Sequence, residues 1–333
     1  MPPDRTMPLF AVAGDRTNVL SLLEEETMAR VQYVERPCKQ LINRVSGMPF
    51  LWSANPYRGC VHDCHYCFAR ATHTFLDLDG SQFGKVVFVK VNAPEVLRDE
   101  LRRPSWRRER VSLGTATDPY QPIEGRYRLT RRCLEVFAAE RTPVTIVTKG
   151  TLIVRDLDVL QGLRDAAGVT VCFSIPTLDR RLWRTLEPGT PPPEQRLRAL
   201  QQVTQAGIHA GVLLAPIIPG LTTRDDQLAA VMRAAKAHGA RFVSGNVLHL
   251  RPGVREHFFA YLAREHPGLL PVYRKLYPGA YVSDRFKLQI AAILQRLRDR
   301  IGMPHEVAPP VPAAPPPEPI QLSLFQPTVR RAG

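Results

Sequence analysis

The chain has 333 residues, 44% of them hydrophobic, which is ample for a sizeable core and excludes a disordered chain. Its 45 Lys and Arg against 31 Asp and Glu leave a formal charge of +14, which points to a polyanionic partner, nucleic acid first, against the plainer reading of a solvated basic surface. No window approaches a membrane span and Met1–Asp15 lacks a secretory pattern, so a cytoplasmic protein is expected, its six cysteines reduced and available for metal or redox chemistry.

In chain order, residues 1–47 form a basic N-terminal extension with one helical stretch at Val19–Val34, and the catalytic body spans 48–303. Apolar β-rich runs at Val86–Val91, Val111–Leu113, Val144–Val147, Val169–Ile175, Ala210–Leu214 and Phe242–Leu248 predict strands. Between them, helical spacing predicts helices at Pro94–Arg102, Leu129–Ala139, Ile153–Ala167, Pro193–Gln205 and Arg224–Ala237, with two more at Val254–Arg264 and Asp284–Ile301. This alternation is that of a parallel α/β fold, and periodicity alone does not separate a barrel from a doubly wound sheet; in both, function sits at the C-terminal strand ends. Residues 304–320 are rich in proline and predict an extended linker to a disordered tail at 321–333.

The chemistry-bearing segment is Asn55-Pro56-Tyr57-Arg58-Gly59-Cys60-Val61-His62-Asp63-Cys64-His65-Tyr66-Cys67. Three thiolates at this spacing can hold three irons of a cubane that ordinarily takes four cysteines, leaving one iron open to bind a cofactor or substrate directly. The competing reading is a zinc site completed by His62 or His65, but structural zinc sites usually pair C-x2-C units and this spacing does not.

C-x3-C-x2-C with an aromatic residue before the last cysteine resembles the radical SAM superfamily signature. The longer phrase, from Met48-Pro49-Phe50 through Gly59-Cys60 to Phe68-Ala69-Arg70, resembles the branch related to spore photoproduct lyase. The resemblance covers roughly residues 40–300 and implies a partial TIM-like (β/α)6 barrel. It implies a [4Fe-4S] cluster on Cys60, Cys64 and Cys67, with S-adenosyl-L-methionine (SAM) chelating the fourth iron and cleaved by one electron to a 5′-deoxyadenosyl radical. An electron donor such as flavodoxin or ferredoxin follows from the same likeness.

The resemblance also implies cofactor-binding roles for Tyr66, Thr115, Thr117, Lys149, Ser174, Ala215 and Pro216. Thr115 and Thr117 would present hydroxyls at a strand end, Lys149 would meet the SAM carboxylate, Ser174 would bond SAM, and Ala215-Pro216 would open a loop packed on adenine. The two threonines have the plainer alternative of a Pro-bearing turn, and Lys149 that of an exposed surface residue. Cys172 shares a strand face with Ser174 and is the candidate hydrogen donor, against the alternative of a small buried hydrophobe. Ser112–Thr117, where the lyase would carry its hydrogen-donating cysteine, has none, which speaks against thymine-dimer reversal by the same route.

At the end of the Pro-rich tether, Gln321-Leu322-Ser323-Leu324-Phe325 resembles the peptide by which bacterial repair and replication proteins dock on the sliding clamp. The preferred expectation is a radical SAM enzyme acting on DNA, in base repair or modification. The alternatives are a radical SAM enzyme on RNA, peptide or a small molecule, and a non-catalytic nucleic-acid-binding protein stabilised by metal.

Overall fold

The computed structural model describes residues 31–76 and 80–304. Part of the expected Val19–Val34 helix, and Gln321–Phe325 with the rest of the tail, lie outside them. Two sheets organise the described chain. The larger has seven strands in the order β10-β9-β8-β7-β6-β3-β2, from β2 (Ile42–Arg44), β3 (Trp52–Ala54), β6 (Val111–Leu113), β7 (Val144–Thr148), β8 (Val169–Ser174), β9 (His209–Ile217) and β10 (Val243–Val247). Its six strands from β3 to β10 pair in parallel, and β2 adds antiparallel at the edge. The smaller sheet orders β1 (Gln32–Arg36), β5 (Val86–Lys90) and β4 (Tyr57–Arg58).

Ten α-helices follow in the described chain: α1 (Ala93–Leu101), α2 (Glu124–Tyr127), α3 (Leu129–Ala139), α4 (Leu157–Ala166), α5 (Arg180–Leu186), α6 (Pro193–Gln205), α7 (Asp225–Ala237), α8 (Val254–Glu265), α9 (Leu270–Leu276) and α10 (Asp284–Ile301). Alternation along the strands divides the sheet's two faces. Val111, Leu113, Val144, Ile146, Val169, Val171, Phe173, Ala210, Val212 and Leu214 join one core with Leu97, Leu134, Phe137, Leu160, Leu163, Leu200, Met232 and Leu294 of the covering helices. The intervening residues, Ser53, Ser112, Thr145, Thr170, Cys172, Ser174 and Gly211, turn to the other face, which is the polar lumen of a partial barrel. The expected (β/α)6 count and its open character therefore hold.

Three expectations are corrected. Val86–Val91 yields β5 of the small sheet, parallel to β1 through Val34↔Phe88, and the sixth parallel strand is the three-residue β3. Trp52-Ser53-Ala54 is neither a β-branched apolar run nor flanked by one, so it does not announce a strand as Val111–Leu113 does. Within the stretch read as helical, Gln32–Val34 belongs to β1, and β2 pairs with β3 through Asn43↔Ser53, so the sheet begins before Met48. The helix expected from Ile153 splits into a 3-10 turn at Leu152–Asp156 and α4. There the buried Asp156 carboxylate accepts from Arg155 Nε (2.7 Å) and Arg131 Nη1 (3.2 Å).

Candidate active site

The cysteine loop leaves β4 and lies over the C-terminal ends of the parallel strands, held there by backbone. Cys60 N donates to Phe83 O (3.1 Å), His65 N to Leu186 O (3.1 Å) and Gly189 N to His62 O (3.1 Å). Buried Arg70 donates to Cys64 O (3.1 Å) and pairs with Asp63 (2.7 Å). Two glycines permit the close approaches. Gly59 has φ +86 and a Cβ there would lie 2.4 Å from Val86 O, while one on Gly189 would lie 2.1 Å from Val61 O.

Cys60 and Cys64 are buried and Cys67 is half-buried. Burial pushes all three thiols up, with Asp118 and Cys64 adding to the effect at Cys60. The Cys64 thiol reaches about 12, where Lys149 opposes burial and Glu187 and Cys67 reinforce it. Three clustered thiols that resist ionisation fit a cationic iron centre, whose charge compensates the thiolates that bind it. The two histidines that a zinc reading would use each have Nδ1 beside another side chain. His62 Nδ1 lies 3.3 Å from Asp118 Oδ2. His65 Nδ1 lies 2.9 Å from His257 Nε2 and its ring stacks on Tyr261, and burial with His257 beside it lowers its pKa to about 4. Among the described residues no group of three or more His, Cys, Asp or Glu side chains, the three cysteines included, is arranged to hold one metal ion, whereas a cubane asks each cysteine to bind a different iron.

Two buried polar systems brace the loop. In the first, the Asp118 carboxylate accepts from Thr148 Oγ1 (2.7 Å), Lys149 N (2.6 Å) and Tyr120 N (2.9 Å), fixing the turn that ends β7. Burial works to raise the Asp118 pKa, but His62 and these donors outweigh it and hold it well below the usual carboxylate range. In the second, Tyr66 OH donates to Glu187 Oε1, and Glu187 Oε2 accepts from Arg196 Nη2 at 2.6 Å, with both partners of the ion pair fully buried. Arg196 Nη1 also donates to Ser174 O (2.9 Å), and Ser174 Oγ to Ala215 O (2.8 Å). A continuous chain of hydrogen bonds thus runs from the aromatic residue of the cysteine motif to the ends of β8 and β9.

Lys149 lies between the two systems, its Nζ 5.6 Å from the Tyr66 ring centroid. Burial disfavours its charge, yet Cys64 and Glu187 raise its pKa, so it stays cationic at the cysteine loop. Lys149 therefore meets Tyr66 at the loop, and Ser174 and Ala215 are tied to it through Arg196 and Glu187. The threonines are placed differently from the strand-end reading. β6 stops at Leu113 and Gly114 turns the chain at φ +87, after which Thr115 Oγ1 meets Ser53 Oγ (2.6 Å) and Thr117 Oγ1 donates to Gly59 O (2.6 Å). Pro216 is not in a loop, since β9 continues to Ile217. Cys172 is buried, and burial raises its thiol to about 12 against the opposing charge of Arg110. Asp118, Glu187 and Arg196 were not anticipated; the only trace is an acidic residue beside a Pro-bearing turn in each of Thr117-Asp118-Pro119 and Glu187-Pro188-Gly189.

A parallel half-barrel with three clustered cysteines over its C-terminal strand ends defines a class of cluster-dependent enzymes. The radical SAM superfamily profile matches residues 54–235, more than half of the chain, and the chain belongs to that superfamily. It is a radical SAM enzyme, with a [4Fe-4S] cluster and SAM as its cofactors. An uncharacterised protein of Mycobacterium tuberculosis H37Rv is 41% identical over 302 residues, which cover 89% of this chain and 88% of the relative. The radical SAM Nalpha-GlyT isomerase of Pseudomonas phage M6 is 25% identical over 172 residues, 51% of this chain and 34% of the isomerase. Spore photoproduct lyase in complex with dinucleoside spore photoproduct has the same fold, with a TM-score of 0.63 at 19% identity over 88% of this chain and 85% of the lyase. A lyase mutant with bound AdoMet and the same dinucleoside gives the same values. Among the described residues no helix is long and apolar enough to cross a membrane.

Proposed function

We propose that this radical SAM enzyme acts on DNA, repairing or modifying a base. Cys60, Cys64 and Cys67 would hold the cluster, which with SAM supplies a carbon-centred radical able to abstract hydrogen. The chain's own residues position and shield that chemistry. On this reading Lys149, beside the Tyr66 ring, would bind the SAM carboxylate, Tyr66 and the Ala215-Pro216 segment would flank the bound molecule, and Ser174, whose hydroxyl donates to Ala215 O, would bond SAM through its remaining acceptor capacity. Thr117 acts through the backbone of Gly59 to hold the cysteine loop, and Thr115 through Ser53. Cys172, buried in the lumen wall, is the candidate hydrogen donor.

The observation that carries the DNA assignment is the +14 charge on an enzyme whose reactive centre lies over a polar lumen. The lyase fold supports it, because the lyase has been solved with a dinucleoside photoproduct. The same reading gives Gln321–Phe325 the role of a sliding-clamp peptide, which a pull-down of the tail-deleted chain tests by loss of clamp binding.

The deciding experiment is anaerobic reconstitution and dithionite reduction with SAM, followed by chromatography for 5′-deoxyadenosine beside a Cys64→Ala control. Incubation with irradiated and undamaged DNA, and mass spectrometry of the nucleosides, then reads the substrate. A new or restored nucleoside that depends on Cys64 supports the reading. SAM cleavage coupled to RNA or a peptide, with no change in DNA, overturns the substrate.

A further inference from the structure

The end of the barrel opposite the cysteine loop carries a second built feature. Residues 102–110, Arg-Arg-Pro-Ser-Trp-Arg-Arg-Glu-Arg, join α1 to β6 and hold five arginines and one glutamate. Trp52 opens β3 and pairs with Val111 on β6 and with Arg44 on β2, so Arg44 and Trp52 share the N-terminal end of the sheet with this segment. The Trp52 and Trp106 rings meet edge to face with centroids 5.4 Å apart, and both are part-exposed.

The local pairing leaves the collar positive. Trp52 Nε1 donates to Glu109 Oε2 (2.6 Å), committing the segment's carboxylate to an indole, and Trp106 Nε1 donates to Thr142 Oγ1 (3.2 Å), which fixes the second ring. Arg102 pairs with Glu140 (2.7 Å), while Arg44, Arg103, Arg107 and Arg108 are exposed. Arg110 differs from them. It immediately precedes β6, donates from Nη1 to Val144 O (3.3 Å), and has a buried Nη2 with no hydrogen-bond partner.

Exposed guanidiniums held together repel one another unless an anion binds, and their planar donors match phosphate oxygens. Indole faces among them offer stacking to unpaired bases, a combination that suits a single strand better than a duplex whose bases are already stacked. We propose that this collar is the docking surface for single-stranded DNA, with the unpartnered Nη2 of Arg110 at its inner margin. The assignment rests on the DNA reading above and adds where the strand is held.

The test is the fluorescence anisotropy of a labelled oligothymidylate of about 20 nucleotides, titrated with the anaerobically reconstituted full chain over a range of salt. The triple variant Arg103→Glu/Arg107→Glu/Arg108→Glu is set beside Arg233→Glu/Arg300→Glu, which alters exposed arginines on α7 and α10. Iron content and circular dichroism confirm that both are folded and loaded. Loss of the collar contacts is expected to weaken binding about ten-fold or more near 0.1 M salt and to lower the salt slope by about two, with the α7–α10 variant close to wild type. Equal binding by wild type and collar variant, or equal losses in both variants, overturns the collar while leaving the DNA reading standing. Absence of wild-type binding overturns both, and tighter binding of an RNA of the same length overturns the choice of DNA.

Discussion

Asp118 is the residue through which the β7 turn and the cysteine loop constrain each other, since it receives Thr148, Lys149 N and Tyr120 N and faces His62. Its folded-state pKa lies below the ordinary carboxylate value, so its stabilisation is present above about pH 4 and is lost as pH falls toward the folded value. Asp118→Asn is therefore expected to cost about 1–3 kcal/mol at neutral pH and to flatten the acid limb of stability, as read by melting temperature from neutral pH downward. Lys149 makes a separate prediction, because Cys64 and Glu187 hold its charge against burial and the proposed function gives that charge the SAM carboxylate to bind. Loss of one charge-assisted hydrogen bond, about 1.5–3 kcal/mol, should weaken SAM binding roughly ten- to hundred-fold in Lys149→Ala. Equilibrium dialysis of loaded protein measures it, and unchanged affinity would remove Lys149 from the SAM site.

At the scale of elements, the turn from α5 to α6 is where the barrel grips the loop. Glu187 and Arg196 are fully buried, and breaking a buried pair strands the remaining charge. Glu187→Gln should destabilise by about 3–5 kcal/mol in urea unfolding, and the double apolar replacement Glu187→Leu/Arg196→Met by less than that single change. Gly189→Ala drives a Cβ against Val61 O, so the turn and the loop must move apart. The expected result is a loss of about 1–3 kcal/mol and fewer irons per chain after reconstitution. Wild-type iron loading in that variant would show that the turn does not position the cysteines.

For the whole molecule, the cysteine loop is tied by protein contacts on several sides, through Phe83 O, Leu186 O, Arg70 and Thr117. Chelation of the iron should therefore leave the far-UV circular dichroism and a cooperative melt in place, while lowering the melting temperature because a ligand of the native state is lost. Collapse of the dichroism on iron removal would mean that the metal, and not this packing, holds the fold.

Some of this was legible in order along the chain and some was not, for a physical reason. The cysteine spacing, the apolar runs of β6 to β10 and the helices covering them depend on residues a few positions apart, so the sequence by itself determined the chemistry of the cofactor centre and most of the half-barrel. Other features come from contacts between distant segments. Tyr66 and Glu187 are 121 residues apart, Lys149 and Asp118 31 apart, and Arg196 and Ser174 22 apart. Only the tertiary structure decided which polar groups would be buried together, that β5 leaves the barrel while the short β3 enters it, and that Thr115 and Thr117 spend their hydroxyls on the protein. A local pattern records which residues seek burial, and the partners they find there are chosen by the packing of the whole chain.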